Sequence, residues 1–188
     1  VYVRNKPRSL AEHLGTGRHY NINSKRGKLQ LMFAQNSSEN DVYNTDIAAF
    51  AENFEFIERM HEPYVIISSG DCVYKIDFNK VLDFHIEKKA DITVVCKDMR
   101  ADVDVSRFGV VRMGEDGRLT EFEEKPIMAQ SNTISTGIYI IRRRQLIEIL
   151  ENAAEEGRYD FVNDVLVRYK NIKKIYGYKI NSYWSNIA

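Results

Sequence analysis

Cysteine, proline and tryptophan are scarce here: two cysteines, three prolines and one tryptophan in 188 residues. Two thiols cannot staple a disulfide scaffold, and Cys72 and Cys96 share no metal-ligand spacing, so they read as reduced thiols. The four histidines (His13, His19, His61 and His85) share no ligand spacing either, which removes the zinc-site patterns. His85 lies beside the apolar face of a predicted helix and reads as a boundary residue. No excess of one charge sign exists, with Lys+Arg and Asp+Glu both at 27. That balance excludes a global field drawing the chain onto nucleic acid or an anionic membrane. No apolar run approaches the roughly 18 residues of a membrane span, and no leader pattern opens the chain, so a cytoplasmic location is expected. A Walker loop is absent. Gly15-Thr16-Gly17 lacks the third glycine of a dinucleotide fingerprint, since Tyr20 stands there, and it follows a helix rather than a strand. No Ser/His/Asp or Cys/His arrangement supports nucleophilic catalysis.

What remains is a globular composition, 44% hydrophobic and 29% charged, long enough for one substantial core. Ser9 is placed to cap a short helix through Leu14, ended at Gly15. Residues 18–28, with Lys25 and Arg26, read as a polar loop, as do residues 35–41. From Thr45 or Asp46 a helix is predicted, because Ile47, Phe50, Ala51, Phe54, Ile57 and Met60 recur at helical spacing, and Pro63 closes it. The run from Tyr64 to Ser68 predicts a buried strand, and Ser69-Gly70-Asp71 breaks from it into a turn. Asp77 predicts the cap of a helix with Phe78, Val81, Leu82 and Ile86 on one face, and residues 92–96 a β-branched strand. Strand, helix and strand in that order predict a right-handed crossover into a parallel pair. Residues 108–113 and 119–122 flank Gly114-Glu115-Asp116-Gly117 as a hairpin, which Pro126 ends. A strand at 134–141, a helix ending at Gly157, a short helix at 160–169 and a strand at 175–180 complete a mixed α/β layered sheet. No internal repeat or low-complexity linker is present, and both ends read as cut, so the chain is expected to be a fragment.

Asp71 is the residue that carries chemistry in this pattern. Open α/β sheets bind ligands beyond the carboxyl ends of their strands. Glycine at position 70 allows a phosphate or sugar to approach the backbone, and Asp71 offers a hard oxygen to Mg²⁺. Lys125, fixed between Glu124 and Pro126 at a strand end, suits a phosphate, and Glu124 suits sugar hydroxyls.

Ordered strings over nearly the whole chain resemble the bacterial glucose-1-phosphate adenylyltransferases (ADP-glucose pyrophosphorylases) of glycogen synthesis. Ser9-Leu10 to Gly17 is similar to that family's Ser-Leu…His-Ile-Gly-Ser-Gly, and Ser69-Gly70-Asp71 with Tyr74-Lys75 and Asp77 to its Ser-Gly-Asp-His-Ile-Tyr-Lys-x-Asp. Leu82-Asp83-Phe84-His85 continues the likeness. Phe108-Gly109-Val110, Thr120-Glu121-Phe122, Glu124-Lys125-Pro126 and Ser135-Thr136-Gly137-Ile138-Tyr139 resemble its sugar-phosphate region. The resemblance implies a Rossmann-like nucleotidyltransferase fold, a mixed and mostly parallel sheet flanked by helices, of which residues 1–188 are a partial domain. It implies that glucose 1-phosphate attacks ATP with loss of pyrophosphate, assisted by Mg²⁺ held between two aspartates. By resemblance Asp71 is the first metal aspartate, Lys125 grips the sugar phosphate, Glu124 and Ser135 meet glucose hydroxyls, and Gly137 lets the sugar approach.

The departures are specific. Tyr183-Trp184-Ser185-Asn186-Ile187-Ala188 stands where the family has Tyr-Trp-Arg-Asp-x-Gly, so Asn186 occupies the second metal position. Thr45-Asp46-Ile47-Ala48-Ala49 replaces the adenine-site Gly-Thr-Ala-Asp-Ala, and Phe161 to Val167 replaces Phe-Gly-Lys-Asp-Val-Ile-Pro. The glycine-rich triphosphate loop and the carboxy-terminal β-helix have no counterpart in these residues. The pattern resembles a regulatory paralogue that partners a catalytic subunit, weak or inactive alone. A self-sufficient adenylyltransferase and a non-catalytic sugar-phosphate-binding domain are the alternatives.

Overall fold

A computed structural model describes residues 1–3, 7–15, 29–33, 50–51, 53–157 and 160–188. The helix expected to begin after a Ser9 cap is α1 (Pro7–Leu14), one turn-start earlier. Proline suits a first helical position, where its missing N–H costs nothing. Strand β1 (Tyr2–Val3) pairs in parallel with β2 (Met32–Phe33). The predicted helix from residue 45 is described only from Phe50, and Asn53 interrupts it, leaving the short α2 (Phe54–Glu58). The adenine-like string 45–49, the remainder of the Gly15–Gly17 turn and the loops at 18–28 and 35–41 lie outside the described residues.

The main sheet is built from β3 (Tyr64–Ser68), β5 (Ile92–Asp98), β6 (Gly109–Met113), β7 (Leu119–Glu124), β8 (Thr133–Arg142) and β9 (Ile175–Lys179). Its order is β7-β6-β8-β5-β9, with β3 also on β8. Both β3 and β5 are antiparallel to β8, as is β6, while β9 is parallel to β5 and β7 antiparallel to β6. Four of these strands therefore run one way and two the other. The expected parallel pairing of β3 with β5 does not form. The β3–α3–β5 unit, in which α3 is Phe78–Glu87, gives parallel directions, but the strands are not neighbours. The long apolar β8 inserts between them, burying nine of its ten residues wholly or in part.

Alternate residues of the sheet feed two cores. Val94, Cys96, Tyr139 and Ile141 face α2 and α4 (Arg143–Glu156), and Phe161 joins that layer. Val95, Ile138 and Ile140 face Val81 of α3 and Trp184. The predicted cap of α3 is present, with the Asn79 N–H donating to Asp77 Oδ1 at 3.1 Å. Its inward face differs from the reading of the sequence. Ile86 is largely exposed, whereas His85 is fully buried, its Nδ1 2.8 Å from Thr93 Oγ1 and its ring edge-on to Tyr64. An i, i+4 pair of Val81 and His85 defines the buried stripe. Helix α4 ends at Gly157 as expected. The segment expected as an ordinary helix at 160–169 is instead π-helical over Val162–Val167, a wider turn that buries Val165 and Leu166 beside β7. Both cysteines are free thiols. Among the described residues, no helix is long and apolar enough to cross a membrane.

Candidate functional site

Two strands absent from the sequence reading build the site. Cys72–Tyr74 forms β4 and Trp184–Asn186 forms β10, and they pair antiparallel with Asn186 opposite Cys72, Ser185 opposite Val73 and Trp184 opposite Tyr74. The ladder continues past the pair, since the Ile187 N–H donates to the Asp71 carbonyl at 2.8 Å. Chain positions more than a hundred residues apart in sequence thus meet at Asp71 and Asn186. Lys97 fixes the approach to this ribbon by donating from Nζ to the Ser182 carbonyl at 2.9 Å.

Asp71 is partly buried, and its carboxylate accepts from the Ser69 hydroxyl. The Ser69-Gly70 turn leans on β8, with the Ser69 N–H donating to the Gly137 carbonyl at 3.0 Å. Gly137 sits at φ +74, and a Cβ there would lie 3.2 Å from the Ser69 Cβ, so a side chain would strain the backbone and push this turn. The register of β8 on β5 slips between Val95 and Cys96, which leaves Thr136 and Gly137 bulged toward the turn. Thr136 Oγ1 ties the bulge down by donating to the Val95 carbonyl at 2.8 Å. Ser135 is buried and its hydroxyl is engaged locally, 3.3 Å from the Gly137 N–H and 3.4 Å from the Tyr139 hydroxyl.

Glu124 ends β7, and Lys125 follows it directly. Glu124 is half-buried, and burial pushes its carboxyl up, with Lys125 pulling down and Asp160 adding to the rise. Lys125 is 68% exposed with Nζ 4.0 Å from Glu124 Oε1. Its backbone lies at φ +47, unusual for any side chain and more so before proline, a conformation costing about 1–3 kcal/mol. The Lys125 N–H donates to the Phe108 carbonyl at 3.1 Å, and the Phe108 ring stands edge-on to Trp184 at 5.7 Å. That contact links the Glu124–Lys125 corner to the Asp71 ribbon.

The Glu124 side chain is placed by a missing one. A Cβ on Gly109 would fall 2.6 and 2.8 Å from Phe122 ring carbons and 2.9 Å from Glu124 Oε2. Gly109→Ala is expected to cost about 1–3 kcal/mol through this overlap and to swing Glu124 away. Urea midpoints and sugar-phosphate titrations that both match the parent protein would rule out the close approach.

Sequence reasoning missed Phe108, Trp184 and Asp160 as neighbours of these residues. The lone tryptophan was the available signal: its ring is buried in the layer that packs against Cys72 and Tyr74 of β4. As for a metal, no three His, Cys, Asp or Glu side chains converge among the described residues. Asp71 contributes one carboxylate, and the Asn186 amide oxygen already accepts from the Ala188 N–H at 3.0 Å. That donor set fits a cation such as Mg²⁺ only when further oxygens come from phosphates.

Comparison with known proteins agrees with this architecture. A crystal structure from Bacillus anthracis described as a glucose-1-phosphate thymidylyltransferase, determined with sucrose, superposes with a TM-score of 0.71 at 16% identity. The match covers 98% of this chain and 69% of that one, a likeness of fold. The chain is 34% identical over 190 residues to a glucose-1-phosphate adenylyltransferase of Lachnospira eligens, covering all of this chain and 45% of that protein. It is 32% identical over 193 residues to the enzyme of that name from Thermotoga maritima, covering all of this chain and 45% of the relative. The one from Clostridium acetobutylicum is 34% identical over 193 residues, again with the whole chain covered and 50% of the relative. The chain spans about half the length of these curated relatives. Residues 1–187 match the family model described as Nucleotidyl transferase, and the chain belongs to that family.

Proposed function

We propose that residues 1–188 supply part of the transferase domain of a glucose-1-phosphate adenylyltransferase subunit that keeps sugar-phosphate recognition but turns over weakly alone. It works beside a catalytic paralogue in a hetero-oligomer. The observation that carries this reading is the β4–β10 register, which sets an amide at position 186 next to the Asp71 turn. In this reading Lys125 binds the phosphate of glucose 1-phosphate, and Glu124 accepts from sugar hydroxyls. The Gly137 bulge and Gly70 leave room for the sugar and for ATP phosphates. Positioning the attacking phosphate against the α-phosphorus of ATP is the main work of these residues. Mg²⁺, when bound, neutralises charge on the phosphates, and Asp71 with Asn186 would hold it. A self-sufficient enzyme is the second reading, favoured by the retained Asp71 carboxylate, since Mg²⁺ sites with one carboxylate and substrate phosphates are common.

The left-handed backbone at Lys125 gives a clean test. Lys125→Gly is expected to melt higher, because glycine relieves φ +47, while binding glucose 1-phosphate about tenfold or more weakly. Calorimetric titration and thermal melts of the complete protein measure both. Unchanged affinity would remove Lys125 from the site. Turnover of the unmodified protein alone at the rate of a catalytic paralogue would reject the weak-subunit reading and leave the second.

A further inference from the structure

The β6–β7 hairpin is held to the rest of the sheet at two places. Val110 pairs with Ile134 of β8, and the Gly117 carbonyl at the tip accepts from the Gly177 N–H of β9 at 2.9 Å. Between these attachments lies a cleft of about 480 Å³, open to solvent and within the usual size of small-molecule sites. Met113 rests there on the bare backbone of Gly177, where a Cβ would overlap its sulfur outright. Register sets Glu124 opposite Gly109 at one end of the hairpin, whereas the cleft lies at the other, beside the turn at Gly114 and Gly117.

The walls carry hydrogen-bonding groups of both kinds. Arg112 and Lys179 donate, Glu115 accepts, and Gln130 and Ser131 do both. Both cations are already compensated by acids outside the lining. Arg112 Nη1 is 3.0 Å from Glu121 Oε2, and Lys179 Nζ is 2.9 Å from Asp98 Oδ1. Asp98 is itself tied down, since it accepts from the Thr133 hydroxyl. Glu115 forms no ion pair among the described residues, so the cleft presents no net positive charge to draw an anion. Val111 and Met113 add a narrow apolar strip to this polar lining. A pyranose has the matching surface: hydroxyls around its rim, C–H groups on its face and no charge.

We propose that this cleft binds a neutral saccharide, non-covalently and separately from the candidate transferase site. Glu115 reaches the sugar hydroxyls from the hairpin turn and Gln130 from the loop before β8, while Met113 lies against the ring. Neither Asp71 nor Lys125 takes part, so the cleft keeps this role whether or not the transferase reading holds.

The experiment titrates maltose, a disaccharide without charge, into the complete protein carrying isotope-labelled methionine methyl groups. The Met113 resonance, assigned by its loss in Met113→Leu, is expected to shift equally at low and high salt, because no net charge is involved. Glu115→Ala combined with Gln130→Ala, both at exposed positions, should weaken maltose binding about tenfold and leave the melting temperature unchanged. Saturating glucose 1-phosphate should leave the maltose titration as it was. Maltose that does not move Met113, or that binds the double variant as tightly as the parent, would overturn the proposal. Displacement of maltose by glucose 1-phosphate would overturn it too, by placing the sugar at the transferase residues. A tighter, salt-sensitive response to gluconate would do the same, by making the cleft an anion site.

Discussion

The Asn186→Asp protein is expected to form ADP-glucose about 10²–10³ times faster than its parent, the usual worth of one preorganised charge contact in the transition state. The substitution is nearly isosteric, and the bond from the Ala188 N–H to Oδ1 can be kept. What changes is charge: a second carboxylate enters the ribbon one register step from Asp71. Two like charges so placed repel in the absence of a cation and favour one in its presence. Mg²⁺ should therefore raise the melting temperature of the variant more than that of the parent. A variant with neither faster turnover nor a stronger response to Mg²⁺ would show that positions 71 and 186 do not share a cation. A response to Mg²⁺ without faster turnover would place the deficit elsewhere, with Ser185 in the position of the family's arginine as the nearest candidate.

Acid should unfold this protein through His85. Burial is the main reason its imidazole is pushed down from 6.5 to about 4, with the positive field of Arg142 adding and Asp91 opposing. Thr93 Oγ1 and the Tyr64 ring complete the surroundings, and neither supplies a negative charge. A histidine that is neutral when folded binds its proton more readily when unfolded, so the unfolded state holds more protons between about pH 6.5 and pH 4. Stability from this group is intact above that window, falls as pH drops through it, and levels off below it. The full loss is about 3 kcal/mol. Urea unfolding from pH 7 to pH 4 should show the decline in the parent, and the difference from a His85→Gln protein should carry it, since carboxylates titrate in both. A constant difference across the window would mean that His85 does not control acid stability.

The sequence made some of this legible and hid the rest for physical reasons. Periodicity located β3 to the residue and bounded the hairpin, α3 and α4, because each has a strong apolar face and a turn or cap residue where it ends. It could not order the strands, since a run such as Ile134 to Ile141 does not say between which neighbours it will lie. Cys72–Tyr74 and Trp184–Asn186 were invisible as strands. Three residues carry too little alternation, and each is a strand only through the other. His85 was misread because a buried histidine looks polar until Thr93 is placed against it. Strand-end chemistry singled out Asp71 and Lys125, and the likeness to adenylyltransferases added Asn186, whereas the contact through Phe108 and Trp184 that joins their two halves needed coordinates.

The β6–β7 hairpin does more than carry Glu124 and Lys125. Its tip bends back onto the outer side of β9, where Arg118 bridges Tyr176 and the Gly177 N–H donates to the Gly117 carbonyl at 2.9 Å. An uncovered strand margin invites a neighbouring molecule to extend the sheet, the first step toward insoluble ribbons. This tip occupies that margin from within the same molecule, so β9 is guarded against recruitment by other copies during folding at high concentration.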